Sequence, residues 1–554
     1  IGWLAVTGAV TSAILLIERR IDSPDNRESN RIILRAALIL FLFFVLMGGI
    51  ISFTGIGIDY PADYWYGAGV PVLGLQVLFC LLIGAVFLWI ESETRILENR
   101  GFDAAIFIFI WLIAAWLWAR EPLHPNYFMP DTADNVIYPY SDGATFDQGA
   151  QYLLIGQGLF NGQFFERSLY SVFLAYLHMA LGQDFENLMT AQAALFAVLP
   201  AVVYLIGVEL HSRPLGITAG ALIALRGMNA VIAAKWIDTA SPKMMLTDFP
   251  AAILISLFLL LLLKWIRDPS RLGLLGWMGA VFGFALMVRT HAISLLPAAL
   301  IFLPFAMKIR WKGFVLTGLL IALGLFAVTL PWEIRNQSKG IPMYSSYYSR
   351  LMVILRHRYG LDADAYIPSH ISSRASESRR GFSHQLMLHS STEPFCDSAP
   401  CSIANHLVHN VVTSLVSLPS SLTFDDLWNT IKTDTPYWKK SWSEGQIGAG
   451  GALMIVFNLA MIALGLGSIW GRVRILSLLP VFFFIAYLFA NSAGFTSGGR
   501  YIAPVDWIVC LFYSAGGLQL VTWVLRAAGF LKSSEQSRLQ GTLFPIISKT
   551  AYIK

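Results

Sequence analysis

The chain has 554 residues, 56% of them hydrophobic and 13% charged, against roughly 25% charged residues in an average soluble protein. Its 39 basic and 34 acidic residues leave a formal net charge of +5. This composition excludes a soluble globular enzyme, a disordered chain and a nucleic-acid-binding protein, because the apolar residues fall in long uninterrupted runs of membrane-span length.

In lipid only helices and closed barrels satisfy the backbone. These runs are continuous rather than alternating, so the expected fold class is an all-α polytopic membrane protein. In chain order, spans are predicted near 1–17, 34–54, 70–90, 104–119, 187–209, 214–233, 249–266, 272–290, 291–307, 313–331, 449–470, 475–491 and 501–521. That makes thirteen. The chain opens on Ile1 inside an apolar run, so the natural N-terminus is expected upstream and no signal peptide can be judged.

Lys and Arg in short loops set orientation. One set of loops carries Arg19, Arg20, Arg27 and Arg31; Arg95 and Arg100; Arg213; Lys264, Arg267 and Arg271; Lys308, Arg310 and Lys312; and Arg472 and Arg474. The alternate loops carry only Lys235, Lys243, Arg289 and Arg500. The first set is expected to be cytoplasmic, joined by a tail over 525–554. Trp65, Trp89, Trp118, Trp236, Trp265, Trp311, Trp332 and Trp470 fall near span ends, where interfacial rings are favoured.

Two long segments then face the outside, over about 120–186 and 332–448. Within the first, SVFLAYLHMALGQ (171–183) is apolar but too short to span and reads as interfacial or re-entrant. Within the second, NHLVHNVVTSLVSLP (405–419) reads as a helix resting on the membrane. The second segment also carries PFCDSAPC, where Cys396 and Cys401 are candidates for a local disulfide on an oxidising face, with two free thiols as the alternative. Cys80 and Cys510 lie inside spans and read as packing residues.

Ionisable groups at the edges of apolar spans are costly, so their placement carries information. Asp142 and Asp147 lie in the first outer segment, and Asp248 opens a span in LTDFP. Arg289 and His291 occupy a turn between spans, Arg335 follows a span in PWEIRNQ, and Arg500 opens another in GGRYIAP. All are expected on the outer face. Carboxylates beside several arginines at headgroup depth suggest a site for an anionic lipid head with an acid or base next to it. Simpler readings stand beside this one. Asp142 and Asp248 could cap helices, Asp147 could answer a helix dipole, Arg289 and Arg500 could snorkel to ordinary lipid phosphates, and His291 could be an interfacial hydrogen-bonding residue. No Walker loop, HExxH, GxSxG or CxxC occurs, so a nucleotide-driven pump and a metalloprotease are unsupported.

Over about residues 104–520 the sequence resembles the GT-C membrane glycosyltransferases, which include protein O-mannosyltransferases and aminoarabinose transferases acting on lipid A. The resemblance rests on SDGATFDQGAQYLLIGQGLF, GVELHSRPLGITAGALIAL, TDFP, MVRTHAISLLP, PWEIRNQSKG and RYIAP, in that order. It implies a donor sugar on a polyprenyl phosphate and Asp142 as the catalytic aspartate. It further implies Asp147 as a substrate-site member, with Arg289, Arg335 and Arg500 near the lipid phosphate; Asp248 and His291 join the candidate substrate-binding residues through their place on the same face. Phe146 stands where the family often has Tyr, and Gly143 where some members have Glu.

The function expected is transfer of a sugar, with inversion, to an extracytoplasmic lipid, glycan or protein acceptor, with membrane lipids around the chain. No cofactor is required, and a divalent metal is compatible but not demanded. The location expected is a cell membrane, with the site on the periplasmic face of a bacterial inner membrane. The organisation expected is N-terminal helices over 1–103, a GT-C-like core over 104–331, an outer domain over 332–448 and closing helices over 449–524. The rival readings are a polymerase or ligase of lipid-linked oligosaccharides and a lipid or sugar transporter without chemistry.

Overall fold

The computed structural model describes residues 24–54, 70–94, 100–123, 139, 141–159, 167–234, 239–307, 311–345, 347–348, 404, 407–408, 410–411, 419–421, 449–493 and 499–531. Helices dominate. They are α1 (Pro24–Thr54), α2 (Gly74–Glu93), α3 (Arg100–Arg120), α4 (Asp142–Leu154), α5 (Ser168–Leu181), α6 (Phe185–Phe196), α7 (Val198–Leu210) and α8 (Arg213–Ala233). There follow α9 (Asp248–Arg267), α10 (Gly273–Val288), α11 (Leu295–Ala306), α12 (Trp311–Ser338), α13 (Ala449–Val473), α14 (Leu478–Ser492) and α15 (Gly499–Ala527). The strand pairing among the described residues is one two-residue parallel pair, β1 (Val72–Leu73) with β2 (Ser420–Ser421).

Nine helical stretches among the described residues are long and apolar enough to cross a membrane. Apolar helices fall near the predicted spans, with differences: α6 and α7 divide the span predicted at 187–209, and those at 449–470 and 475–491 form one apolar stretch, Leu453–Ser492, ending in the 15-residue α14. The predicted span at 1–17 lies outside the described residues. The predicted spans at 272–290 and 291–307 form α10, of 16 residues, and a 3₁₀ turn (Thr290–Ser294) leading into α11, of 12 residues. At 1.5 Å per residue, α10 is roughly 24 Å long, short of a bilayer core of about 30 Å. The break falls at Arg289, whose backbone is extended (φ −150°, ψ 113°). Finally, α12 continues through Pro331 to Ser338, so Arg335 belongs to the last turn of a helix rather than to the segment after it.

Large side chains facing outward on α1, α2 and α3, among them Leu38, Ile39, Leu75, Leu82, Phe109 and Trp116, are exposed and apolar, as a lipid-facing ring requires. Trp89 and Trp311 are exposed near helix ends, as interfacial rings would be. Trp118 and Trp265 are not: both are fully buried. The Trp118 indole donates to the Ala224 carbonyl at 2.7 Å, so its N–H is satisfied inside the bundle instead of at a membrane surface. Where lipid offers no hydrophobic drive between helices, close backbone approach supplies the packing. A Cβ on Gly279 of α10 would collide with the Ile321 carbonyl oxygen of α12, and one on Gly324 would collide with that of Gly276.

Polar groups gather at the two ends of the bundle. One end is tied by Arg213, whose Nε and Nη2 grip Asp103 at 2.7 and 2.8 Å while the Tyr204 hydroxyl donates to the same carboxylate at 2.7 Å. Arg267 pairs with Glu209 at 2.9 Å, and Arg472 donates to the His211 carbonyl, at that same end. The opposite end carries Asp142, Asp248, Arg289 and Arg500. There Lys243, buried in the connection between α8 and α9, donates to the carbonyls of Ala119 and Glu121 at 2.8 and 2.5 Å and closes the C-terminus of α3. Burial pushes its ammonium pKa down.

Short stretches of the second long segment return to the bundle. Asn410 donates to the Ser492 carbonyl at 2.7 Å, and the Ser420 hydroxyl to Tyr513 at 2.8 Å. The rest of the expected 405–419 helix, and both Cys396 and Cys401, lie outside the described residues.

Candidate active site

Four side chains that are far apart in sequence meet at one end of the bundle. Asp142 is the first residue of α4, Asp248 the first of α9, Arg500 the second of α15, and Arg289 ends α10. The Arg500 Nη2 donates to Asp142 Oδ2 at 3.0 Å, and its Nε lies 3.5 Å from Asp248 Oδ2. Arg289 Nη1 donates to Asp248 Oδ1, closing the chain Asp142–Arg500–Asp248–Arg289. The Tyr501 ring lies 5.7 Å from the Arg289 guanidinium carbon and 5.5 Å from that of Arg500, within cation–π range of both.

Helix ends explain why these residues converge. Neither Asp142 nor Asp248 acts as a cap: the N-cap positions are Ser141 and Thr247, and neither side chain makes a capping bond. Each carboxylate instead stands in a first turn, where the helix dipole favours negative charge, and turns to an arginine. Ser141 holds φ at 56°, a left-handed conformation uncommon for a residue with a Cβ. Such strain of about 1–3 kcal/mol persists where the surroundings over-determine it, and here it sets the entry angle of the helix that carries Asp142.

Burial divides the network in two. The Asp248 side chain is 1% exposed and those of Arg289 and Arg500 are 6% exposed, whereas that of Asp142 is 43% exposed. Among the described residues the enclosed part therefore holds two guanidinium groups around one carboxylate, a formal +1, and the Asp142 carboxylate faces out. Only Oδ2 of Asp142 is engaged; its Oδ1 has no hydrogen-bond partner among the described residues. The arrangement can orient a carboxylate while leaving one oxygen open, and it can present fixed positive charge to an anion.

Beside this network lies a partly open cavity of about 50 Å³, lined in part by Asp248 and Arg500. Most of its wall comes from three helices with regularly spaced faces: Ile223, Arg226, Gly227 and Ala230 on α8; Asp248, Phe249 and Ala252 on α9; Gly499, Arg500, Ala503, Asp506 and Trp507 on α15, with Leu199 of α7 and Val70, Thr239 and Ala240 completing it. Spacings of three and four place each set on one helix face. The walls are thus mainly apolar and aromatic with charged groups at two places, as small-molecule sites commonly are.

Of the residues expected at the site, Asp142, Asp248, Arg289 and Arg500 are joined directly, and His291 lies in the 3₁₀ turn two residues beyond Arg289. Two others are placed elsewhere. Asp147 points one helical turn away from Asp142 and binds His178 Nε2 at 2.7 Å, while His178 Nδ1 donates to the Gly182 carbonyl at 2.9 Å. Burial opposes the imidazolium, but the hydrogen bond and charge of Asp147 prevail and raise the His178 pKa. This pair staples α4 to α5. Arg335 donates to the Leu159 carbonyl at 3.1 Å and to Asn336 Oδ1 at 3.0 Å, and lies 4.6 Å from the Trp332 ring centre. Those contacts set it against the end of the first long segment instead of in the four-residue network.

Sequence reasoning missed Arg226 and Asp506, which pair at 2.8 Å within the cavity wall. The signal was present, since each is a charge well inside an apolar span, where charges are rare and usually functional. Cys510 is buried as expected, but its Sγ also accepts from Arg226 Nη1 at 3.3 Å, so it does more than fill space. The chain matches no family model, no curated protein and no solved structure.

Proposed function

We propose that the chain is an integral membrane glycosyltransferase that moves a sugar from a polyprenyl-phosphate donor to an extracytoplasmic lipid, glycan or protein acceptor, with inversion. In this reading it crosses the membrane thirteen times, with α10 and α11 making two short crossings. The end bearing Asp142 faces outward, because the basic short loops then lie in the cytoplasm. The observation that carries the reading is the Asp142–Arg500–Asp248–Arg289 network, two members of which, Asp248 and Arg500, line an amphiphilic cavity.

Asp142 accepts the proton of the acceptor's hydroxyl or amine on its open Oδ1, while Arg500 holds Oδ2 and fixes the carboxylate plane. General-base assistance of this kind contributes about 10²–10⁴-fold. The nucleophile attacks the anomeric carbon from the face opposite the phosphate, the glycosidic C–O bond breaks, and the electron pair leaves with the polyprenyl phosphate. Arg289 and Arg500 stabilise the charge that grows there, and guanidinium suits phosphate because it can bind bidentately. Asp248 touches no reacting atom; it keeps both arginines in place.

The test is product analysis by mass spectrometry after incubating the purified full chain with polyprenyl-phosphate sugars and envelope acceptors. Transfer is expected for the wild type and is lost in Asp142→Asn. A variant with near-normal turnover would remove the base assignment.

A further inference from the structure

The cavity has two charged poles of unequal character. At the first, Asp248 and Arg500 line the cavity while Arg289, outside its lining, pairs with Asp248, a formal +1 for these three among the described residues. At the second, Arg226 and Asp506 form a one-to-one pair at 2.8 Å. Arg226 is held further by its Nε on the Val70 carbonyl at 2.7 Å, yet its Nη2 has no hydrogen-bond partner among the described residues. Arg500 and Asp506 lie six residues apart on α15, so the poles are separated by roughly 9 Å along its axis. Phe249 and Trp507 line the space, and the Trp507 indole N–H is already satisfied by the Pro504 carbonyl at 3.0 Å.

A charged ligand group at the second pole would have to break a buried pair and strand one of its members, which is strongly unfavourable. A neutral polyol need not. Its hydroxyls can accept from the unused Arg226 N–H groups and donate to Asp506, and its C–H faces can lie on apolar and aromatic walls. We propose that Arg226 and Asp506 form the subsite that selects the sugar: the lipid phosphate sits at the Arg289–Arg500 pole, and the neutral sugar ring reaches to the Arg226–Asp506 pole. This rests on the glycosyltransferase reading and adds to it the residues that discriminate one sugar from another.

The experiment uses the full chain in detergent, with a panel of methyl hexosides and methyl pentosides as probes. Binding is read by saturation-transfer NMR, and sugar preference by transfer from a matching panel of polyprenyl-phosphate sugars. Arg226→Gln/Asp506→Asn removes both charges together and so leaves no stranded ion; its fold is checked by thermal unfolding. The wild type is expected to bind a subset of the glycosides. The double variant should weaken that binding on the order of tenfold or more, the scale of one lost charge-assisted hydrogen bond. Arg226→Lys keeps the charge but loses the planar fork, and should reorder the preference among sugars, which a purely structural pair would not do. Equal binding and unchanged preference in the folded double variant, or no glycoside binding by the wild type, would overturn the subsite. Glycoside binding that depends on the pair without product from any donor would keep the subsite and remove the transferase reading. Product formation with an unaltered sugar preference would do the reverse.

Discussion

Asp248 and Asp142 are both aspartates bound to Arg500, yet the structure assigns them opposite kinds of importance. Asp248→Asn retains the side-chain volume and one carbonyl acceptor but removes the charge shared by two enclosed guanidinium groups. With Asp248 1% exposed and both arginines 6% exposed, water cannot replace that charge. Removing one partner of a buried ion pair costs about 3–5 kcal/mol, and the acceptor kept by Asn places the expected loss near the lower figure. Asp142→Asn removes a charge that is 43% exposed and paired once, so its effect on stability is expected near the 0–1 kcal/mol of surface pairs. Thermal and denaturant unfolding of both variants in one detergent, alongside turnover of the folded fraction, separates the two roles. Asp248→Asn should unfold first and, with Arg500 displaced, lose on the order of 10²-fold in rate. Asp142→Asn should unfold like the wild type and make no product. Equal destabilisation by the two substitutions, or none by Asp248→Asn, would refute the division into a buried anchor and an exposed base.

Three further outcomes follow from the fold. Gly279→Val drives a side chain into the Ile321 carbonyl; it should cost about 1–3 kcal/mol as overpacking, read as a lower unfolding temperature with the network residues unaltered. The His178–Asp147 pair raises the imidazole pKa above its ordinary 6.5. Its contribution is therefore complete below 6.5 and fades as pH rises through the higher folded value. Unfolding temperature across that window should fall in the wild type and stay flatter in Asp147→Asn. Lys243→Met leaves the Ala119 and Glu121 carbonyls without their donor, and should cost about 1–3 kcal/mol, with faster proteolysis near the end of α3 as the check.

Helix positions were legible in the sequence because long apolar runs have few alternatives in lipid, and runs such as those of α3, α8 and α9 fall where expected. The break between α10 and α11 was harder to read. The run 272–307 looks like two full spans, but the extended backbone at Arg289, within MVRTHAISLLP, ends α10 early and aims that residue at Asp248. Charges at span edges singled out Asp142, Asp248, Arg289 and Arg500, which the structure brings together; Asp142, Asp248 and Arg289 stand at helix ends whose dipole suits their charge, whereas Arg500, in the first turn of α15, is placed against the dipole and is held by its carboxylate partners. The same rule singled out Asp147 and Arg335, which lie outside the four-residue network: position along a helix does not say which way a side chain points, and one turn was enough to send Asp147 to His178. It also passed over Arg226 and Asp506, because two opposite charges in separate spans are recognisable as a pair only once α8 and α15 are packed together.

Sealed proteoliposomes carrying the purified chain, a radiolabelled polyprenyl-phosphate sugar and an acceptor on the site-bearing side put the central claim to its most direct test. Label should move covalently from donor to acceptor with inverted anomeric configuration, and Asp142→Asn at matched folded amount should yield none. Label that crosses the bilayer without entering any product, equally in the wild type and in Asp142→Asn, would contradict the account.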